Sequence, residues 1–280
     1  NDVTLTVTDN QVTVTQTFTI TVANTNDAPT IDSTAVIAVD EDSLYTYTVV
    51  ASDVDANDGM TLSVTSTLPT WLSFDANTGV LSGTPLNAHV GTQSVTVQAE
   101  DTAGATATQT FTITISNTND APTIDSTAVT AIDEDSSYLY TVTASDVDVG
   151  DNVALSATIP SSSTWLTFEP STGKLTGTPA NGDVGTHSIT VTATDDAGDT
   201  GSQTFTITVA NTNDAPTISS TAVIAVDEDS LYTYTVTGDD VDANDGMTLS
   251  VTSTLPTWLS FDANTGVLSG TPLNAHVGTQ

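Results

Sequence analysis

The residues in this chain that could do chemistry are its carboxylates, and they sit in groups. Within residues 27–119 there are 11 acidic side chains, ten of them in five places: Asp27; Asp40, Glu41 and Asp42; Asp53, Asp55 and Asp58; Asp75; and Glu100 with Asp101. Only Asp32 falls elsewhere. A surface adapted to salt would scatter carboxylates along outward-facing strand positions, yet those positions carry Thr and Ser. Carboxylates gathered with Asn and Gly in loops offer hard oxygen donors, the set that calcium takes up as six to eight ligands. No His or Cys lies in the groups, which argues against zinc or copper.

Charge narrows the partners further. The 280 residues contain 35 Asp and Glu against one basic residue, Lys174, for a formal net charge of −34. Nucleic acid and anionic membrane surfaces need cations on the protein, so both are excluded as partners. Repulsion of this size opposes compaction unless salt or bound ions relieve it. The chain is nevertheless 37% hydrophobic with patterned apolar residues, which is the composition of a folded protein. It has no Cys, so no disulfide holds it together and cysteine is silent on the compartment. No apolar run is long enough to span a membrane.

The elements that must position the carboxylates are repeated. Asn-Thr-Asn-Asp-Ala-Pro-Thr-Ile begins at Asn24, Asn117 and Asn211, spacings of 93 and 94 residues. Residues 27–93 match 214–280 at all but four positions, whereas the middle copy has diverged and keeps the landmarks Trp165 and Gly177. Trp71, Trp165 and Trp258 recur in phase, as do Gly-Thr-Pro triplets at Gly83, Gly177 and Gly270. Such self-similarity marks a repeat architecture. Alternation of large apolar residues with Thr, as in Leu44-Tyr-Thr-Tyr-Thr-Val-Val50 and Phe111-Thr-Ile-Thr-Ile115, reads as half-buried strands. Strands are expected near 34–39, 44–50, 60–65, 71–74, 79–82, 93–99 and 106–116, with turns at Asp75-Ala-Asn-Thr-Gly79 and Asp101-Thr-Ala-Gly104. The fold class is therefore all-β: tandem seven-stranded Greek-key β-sandwiches in a linear array. Trp71, Leu72 and Phe74, with Trp165, Leu166 and Phe168, are assigned to cores. A glycan-stacking Trp is the alternative.

The expected organisation is the last strands of one repeat at 1–24, complete repeats at 25–117 and 118–211, and the first part of a further repeat at 212–280. Aligned copies bring Gln280 and Asn1 to the same point of the repeat within one residue, so the sequence spans three whole periods. Strands expected at 3–8 and 13–22 are the two that 213–280 lacks. This points to end-to-end continuation, either of one polypeptide or through a neighbouring copy. Gln280 of one copy would then lie beside Asn1 of another, and Asp9 near that copy's Asp240 and Asp242.

At these motifs the sequence resembles the cadherin family, and more closely the bacterial cadherin-like and dystroglycan-type modules of large surface adhesins. Asn24-Thr-Asn-Asp-Ala-Pro29 is similar to the cadherin interdomain linker, Asp53-Val-Asp55 to the paired aspartates after the second strand, and Ala99-Glu-Asp101 to the aspartate before the last strand. Glu41 resembles the glutamate preceding the second strand, and residues 72–81 the mid-domain strand–turn–strand. The resemblance implies Ca2+ at each junction between modules. Carried over by position, the ligands are Asn26, Asp27, Asp53, Asp55 and Asp101 at 24–29, and Glu41, Asn119, Asp120, Asp146, Asp148 and Asp195 at 117–122. At 211–216 they are Glu134, Asn213, Asp214, Asp240 and Asp242, while Asp9 fills the position before the last strand in residues 1–24. Cadherins carry an acidic triplet after the mid-domain turn where this chain has Leu81-Ser-Gly-Thr-Pro85, so one or two ions per junction are implied. A rival reading puts calcium within one loop, Asp53-Val-Asp-Ala-Asn-Asp-Gly59, but the middle copy breaks it as Asp146-Val-Asp-Val-Gly-Asp-Asn152.

Catalytic constellations are normally single, and here every carboxylate group is repeated in what reads as solvated loops. His187 stands where the other copies have Gln93 and Gln280, which suits a surface residue better than a base. The expectation is a non-enzymatic, extracellular, calcium-stiffened fibre or spacer, a segment of a surface filament or adhesin in a cell surface, secreted matrix or biofilm. Modules that bind cell-surface glycans or proteins directly are the alternative.

Overall fold

A computed structural model describes residues 1–55, 58–242 and 245–278. The chain divides into two compact units, residues 1–120 and 121–280. In the first unit a hairpin of β1 (Asp2–Thr8) and β2 (Thr13–Thr19) precedes a sandwich. The sandwich strands are β3 (Thr30–Ile31), β4 (Ala38–Asp40), β5 (Tyr45–Thr48), β6 (Ala51–Ser52), β7 (Thr61–Val64), β8 (Leu72–Asp75), β9 (Val80–Gly83), β10 (Gly91–Glu100) and β11 (Thr106–Ser116). One sheet runs β4-β11-β10-β7, with β4 parallel to β11, and the other β5-β9-β8, with β3-β6 as a separate pair. In the three-stranded sheet β9 lies between β5 and β8, which puts non-consecutive strands side by side, as Greek-key sandwiches do.

The second unit repeats this order: β12 (Thr123–Ile124), β13 (Ala131–Asp133), β14 (Tyr138–Thr141), β15 (Ala144–Ser145), β16 (Ala154–Thr158), β17 (Leu166–Glu169), β18 (Lys174–Gly177), β19 (Gly185–Thr194) and β20 (Thr200–Ala210). A further group follows: β21 (Thr217–Ile218), β22 (Tyr232–Thr235), β23 (Gly238–Asp239), β24 (Leu259–Asp262) and β25 (Val267–Gly270). Among the described residues the helical content is three short 3-10 turns, and no helix is long and apolar enough to cross a membrane. The expectation that Gln280 adjoins another copy's Asn1 falls on a residue outside those described.

Alternation decides which faces meet. In β5 Tyr45 and Tyr47 are buried while Thr46 and Thr48 are exposed, and β11 buries Phe111, Ile113 and Ile115 between exposed Thr and Ser. These side chains meet Val95, Val97, Leu72 and Leu81 in one core, against which Trp71 and Phe74 pack. The outward Thr residues pair across strands, Thr96 with Thr110 at 2.9 Å and Thr190 with Thr204 at 2.8 Å. Two short strands per complete module were not expected: β3 and β6 pair over only two residues each, too short for an alternation pattern to register.

The tyrosines are anchored as well as buried. Tyr45 donates to the carbonyl of Val36 at 2.8 Å, and the Tyr47 hydroxyl lies 2.6 Å from Gln109 Oε1, whose amide bonds Ser33 O at 2.9 Å. Tyr138, Tyr140 and Gln203 repeat the arrangement in the next module. Trp71 stands edge-on to Tyr45 with ring centroids 6.0 Å apart, so it is a packing residue. Its carbonyl explains the glycine of the Gly-Thr-Pro triplet. A Cβ on Gly83 would meet Trp71 O at 1.8 Å, and one on Gly177 would meet Trp165 O at 1.9 Å.

His187 is a correction to the sequence reading. It is buried, with Nδ1 2.7 Å from Ser163 Oγ and Nε2 2.7 Å from Asp183 O, and its ring stands edge-on to Trp165. The middle module carries a longer stretch before its Trp, Ser161-Ser-Ser-Thr164, and Ser163 fills the space beside this imidazole. The third member of the contact is a backbone carbonyl, so no catalytic triad is formed.

Gly83→Ala should destabilise the chain by at least the upper part of the roughly 1–3 kcal/mol that overpacking costs. Gly182→Ala, where a Cβ meets nothing within 4 Å, should stay within about 0.5 kcal/mol of the parent; urea unfolding compares the two. Burial also pushes the phenols of Tyr45 and Tyr138 up to about 12. A phenol whose folded pKa lies above its unfolded value of about 10 adds stability that is complete below pH 10 and is lost as pH rises towards 12. Thermal midpoints should therefore fall between pH 10 and 12, and less steeply in the Tyr45→Phe, Tyr138→Phe double variant.

Candidate metal centres beside the linkers

The linker at 211–216 lies wholly inside the second unit, and its surroundings are built by three segments. The first is the turn after β13. There Asp135 takes a left-handed φ of 59° and bonds Pro179 O, which turns the preceding Glu134 inward. Glu134 is only 1% exposed; Oε1 accepts the Thr212 amide at 2.7 Å, and Oε2 is buried without a hydrogen-bond partner. The second is the linker itself, where the Asp214 amide donates to Asp242 Oδ2 at 2.6 Å and Asn213 Nδ2 to Asp214 O at 2.7 Å. The third is the loop after β23, where the Asp242 amide bonds Asp240 Oδ1 at 2.9 Å. Asp240, Asp242 and Asp245 each bring a carboxylate oxygen within 4.8 Å of the others.

The linker at 24–29 lies inside the first unit and repeats the last two segments. The Asp27 amide donates to Asp55 Oδ2 at 2.7 Å, the Asp55 amide to Asp53 Oδ1 at 2.8 Å, and Asn26 Nδ2 to Asp101 Oδ2 at 2.9 Å. Asp53, Asp58 and Asp101 gather within 4.8 Å, and Asp53 Oδ2 is buried without a partner. Asp101 also accepts the Ala105 amide at 2.8 Å; the Asn26 carboxamide and the turn amides together hold its carboxyl below the usual range. Asp58 takes a hydrogen bond from the Thr102 hydroxyl.

Of the residues assigned to 117–122, the first unit places Glu41 as it places Glu134 in the second: 1% exposed, Oε1 accepting the Thr118 amide at 2.8 Å, Oε2 buried without a partner. Asn119 Nδ2 bonds Asp120 O at 3.3 Å. In the second unit Asp146, Asp148 and Asp151 cluster within 4.8 Å, and Asp195 accepts the amides of Gly198 and Asp199 at 2.6 and 2.8 Å. Partial desolvation and then the charges of Asp146 and Asp148 push the Asp151 carboxyl up. Asp9 accepts the amides of Val12 and Gln11 in its own hairpin turn, which lowers its pKa. Asp75 likewise closes its turn by accepting the Asn77 amide at 2.9 Å.

The loops are less open than the sequence reading supposed. Glu41, Asp101, Glu134, Asp148, Asp195 and Asp242 are all buried. Packing of the linker and short turns against the sandwich ends removes water that the Gly- and Asn-rich sequence suggested would be present. Asp58, Asp151 and Asp245 join clusters without having been assigned as ligands, and Asn181 was missed altogether. Asn181 Nδ2 donates to Asp214 Oδ2 at 2.8 Å and to Asp242 Oδ1 at 3.3 Å, and Asn87 Nδ2 to Asp120 Oδ2 at 2.8 Å. The available signal was an Asn two residues past the proline of each Gly-Thr-Pro: Asn87, Asn181 and Asn274.

Like charges this close repel by roughly 4 kcal/mol per pair at 4 Å and an effective dielectric of about 20. Lys174, the one basic side chain, sits on β18. Neutralisation therefore comes from amides or from cations in solution. The donor sets are all oxygen, which fits a hard divalent ion of calcium's type.

Comparison with known proteins places the architecture. The family model described as a putative Ig domain matches residues 28–116, 121–210 and 215–280. The serine-rich adhesin for platelets of Staphylococcus aureus strain MSSA476 is 34% identical over 153 residues, 54% of this chain and 6% of that protein. Its counterpart in strain MRSA252 is 33% identical over 153 residues, 54% of this chain and 11% of that one. The chain thus spans a small fraction of these curated relatives. Among solved structures, the protocadherin gammaB4 extracellular domain aligns with a TM-score of 0.53 at 21% identity, covering 98% of this chain and 49% of that chain. Protocadherin gamma B2 extracellular cadherin domains 1–5 give 0.53 at 18%, covering 93% and 56%. At such identities the likeness is one of fold. The family match reaches across most of the sequence, in three consecutive stretches that coincide with the sandwich strands, and the chain belongs to the putative Ig domain family.

Proposed function

We propose that this chain is a non-catalytic segment of an extracellular surface adhesin or filament, built of cadherin-like repeats whose linkers are stiffened by Ca2+. The observation that carries the reading is Glu134: a carboxylate 1% exposed, with one oxygen on the Thr212 amide and the other without a partner, beside a linker whose Asp214 is tied to Asp242. A buried anionic oxygen without a partner is costly unless a cation completes it. Glu134, Asn213, Asp214, Asp240 and Asp242 would hold the ion at 211–216, and Asn26, Asp27, Asp53, Asp55 and Asp101 at 24–29. The ion would neutralise the crowded carboxylates and lock the linker to the turns on either side. The bacterial dystroglycan-type resemblance and the module limits 25–117 and 118–211 belong to the same reading. Repetition of the carboxylate groups favours this over catalysis, since an active site needs one set and a rod needs many.

End-to-end partners would be the continuing polypeptide or neighbouring copies. The staphylococcal relatives are named as adhesins for platelets, which favours a second reading in which modules of this kind contact cell-surface glycans or proteins directly. Binding of this chain to cells or glycans with calcium present throughout separates that reading from a spacer.

Extracellular calcium sites commonly have Kd values of about 10⁻⁴ to 10⁻³ M. Calcium at about 100 times Kd should stabilise the bound state by about 2.7 kcal/mol per site. The thermal midpoint should therefore rise with CaCl2, return with EDTA, and fail to rise with NaCl of equal ionic strength. An equal response to both salts would reduce the carboxylates to general salt adaptation. Amide exchange at Thr212 and Asp214 should slow on calcium addition. Asp214→Ala should abolish the slowing, whereas Asp75→Ala should leave it intact.

A further inference from the structure

Asn181 has a position that neither the charge pattern nor the cadherin resemblance assigns. It opens the 3-10 turn Asn181–Asp183 and projects from one sandwich onto two carboxylates that belong to the linker and to the next loop, Asp214 and Asp242. Its base is fixed. The Asp183 amide bonds Ala180 O at 2.7 Å, and Asp183 Oδ2 accepts the Ala180 amide at 3.0 Å, so the turn is closed from both sides. The equivalent Asn87 makes the first of these contacts within its own unit, to Asp120 at 2.8 Å. The contact is therefore a property of the repeat.

A carboxamide has a donor end and an acceptor end of nearly the same shape, and its terminal torsion is broad. In the structure the NH2 end faces two anionic oxygens and donates to both, Asp214 Oδ2 and Asp242 Oδ1. A divalent cation taking up those oxygens would repel the NH2 end. Half a turn about the terminal torsion presents Oδ1 instead, a hard neutral oxygen of the kind calcium accepts. Glu134 gives the independent sign that a cation belongs here, since its buried Oε2 stands without a partner against the same linker.

We propose that Asn181 is a metal ligand through Oδ1, exchanging its hydrogen bonds to Asp214 and Asp242 for a bond to a calcium-class divalent cation. It would thereby supply, from the 3-10 turn after Gly-Thr-Pro, a ligand in place of the acidic triplet that this chain lacks. The inference rests on the calcium reading above. A competing role predicts the opposite sign. If the amide is only a resident lock, it competes with the ion, and removing it should tighten binding.

The test is a CaCl2 titration of the full chain followed by NMR through the Thr212 and Asp214 amides, which report on this linker alone. Saturable shifts in the parent are expected; their absence would overturn the calcium reading and this inference with it. Given those shifts, Asn181→Ala should weaken binding by at least the roughly 10-fold that losing even an outer partner of a ligand costs. Asn181→Asp, which keeps the oxygen and adds charge, should bind at least as tightly as the parent. Unchanged or tighter binding by Asn181→Ala, or weaker binding by Asn181→Asp, would overturn the ligand role while leaving the calcium reading standing. Asn274→Ala, at the equivalent position of the following repeat, should leave these two resonances titrating as in the parent. An equal loss there would show an effect that is not local and would also overturn the assignment.

Discussion

Thirty-five carboxylates share this chain with one lysine, and that imbalance governs how every acidic side chain is held. Ion pairs with basic residues are nearly closed to them, so the compensating groups are backbone amides, carboxamides, hydroxyls and cations from solution. Asp9, Asp75, Asp101 and Asp195 each accept backbone amides of their own turns. Glu41 and Glu134 reach further and take the amide of a residue 77 or 78 positions on, at the start of the linker that follows their sandwich. A charged acceptor makes these hydrogen bonds stronger than neutral ones. The acidic residues are therefore the fasteners of the turns and linkers as well as the source of the repulsion.

This division of labour follows from the sandwich. Strands of a two-sheet module use one face for the core and the other for solvent, and Thr serves the outward face without adding charge. What remains for polar chemistry is the loops at the ends of the module. Because the linker leaves from one end, the loops that face it collect carboxylates from the turn after β13, the linker and the following loop. Each cluster is thus a consequence of topology, and repetition of the topology repeats the cluster.

Much of this was legible in the sequence. Phased Trp71, Trp165 and Trp258 and the Gly-Thr-Pro triplets gave the period, and Tyr-Thr-Tyr-Thr alternation gave the strands. The acidic groups in the loops stood out because carboxylates there break from the Thr-rich background, and the choice of Asp53, Asp55, Asp101, Glu134, Asp214, Asp240 and Asp242 within them came from the cadherin resemblance. Asn181 and Asn87 could not, since Asn is common in turns and its neutral side chain leaves no mark in a charge pattern. His187 was misread for a related reason. A Gln at the aligned position of the other copies suggests exposure, while the middle module's own Ser163 creates the buried contact.

The sequence by itself determined the all-β class, the repeat, the faces of the strands and the loops that carry charge, because each of these depends on local alternation or on composition. Only the tertiary structure decided which carboxylates are buried, which oxygen of each is already used, and which amide each one takes. Those properties come from segments far apart in the chain: Glu134 meets Thr212, and Asn181 meets Asp214 and Asp242, across dozens of residues. No periodicity encodes such a meeting. It arises when the sheets close on their core and bring the ends of their loops together.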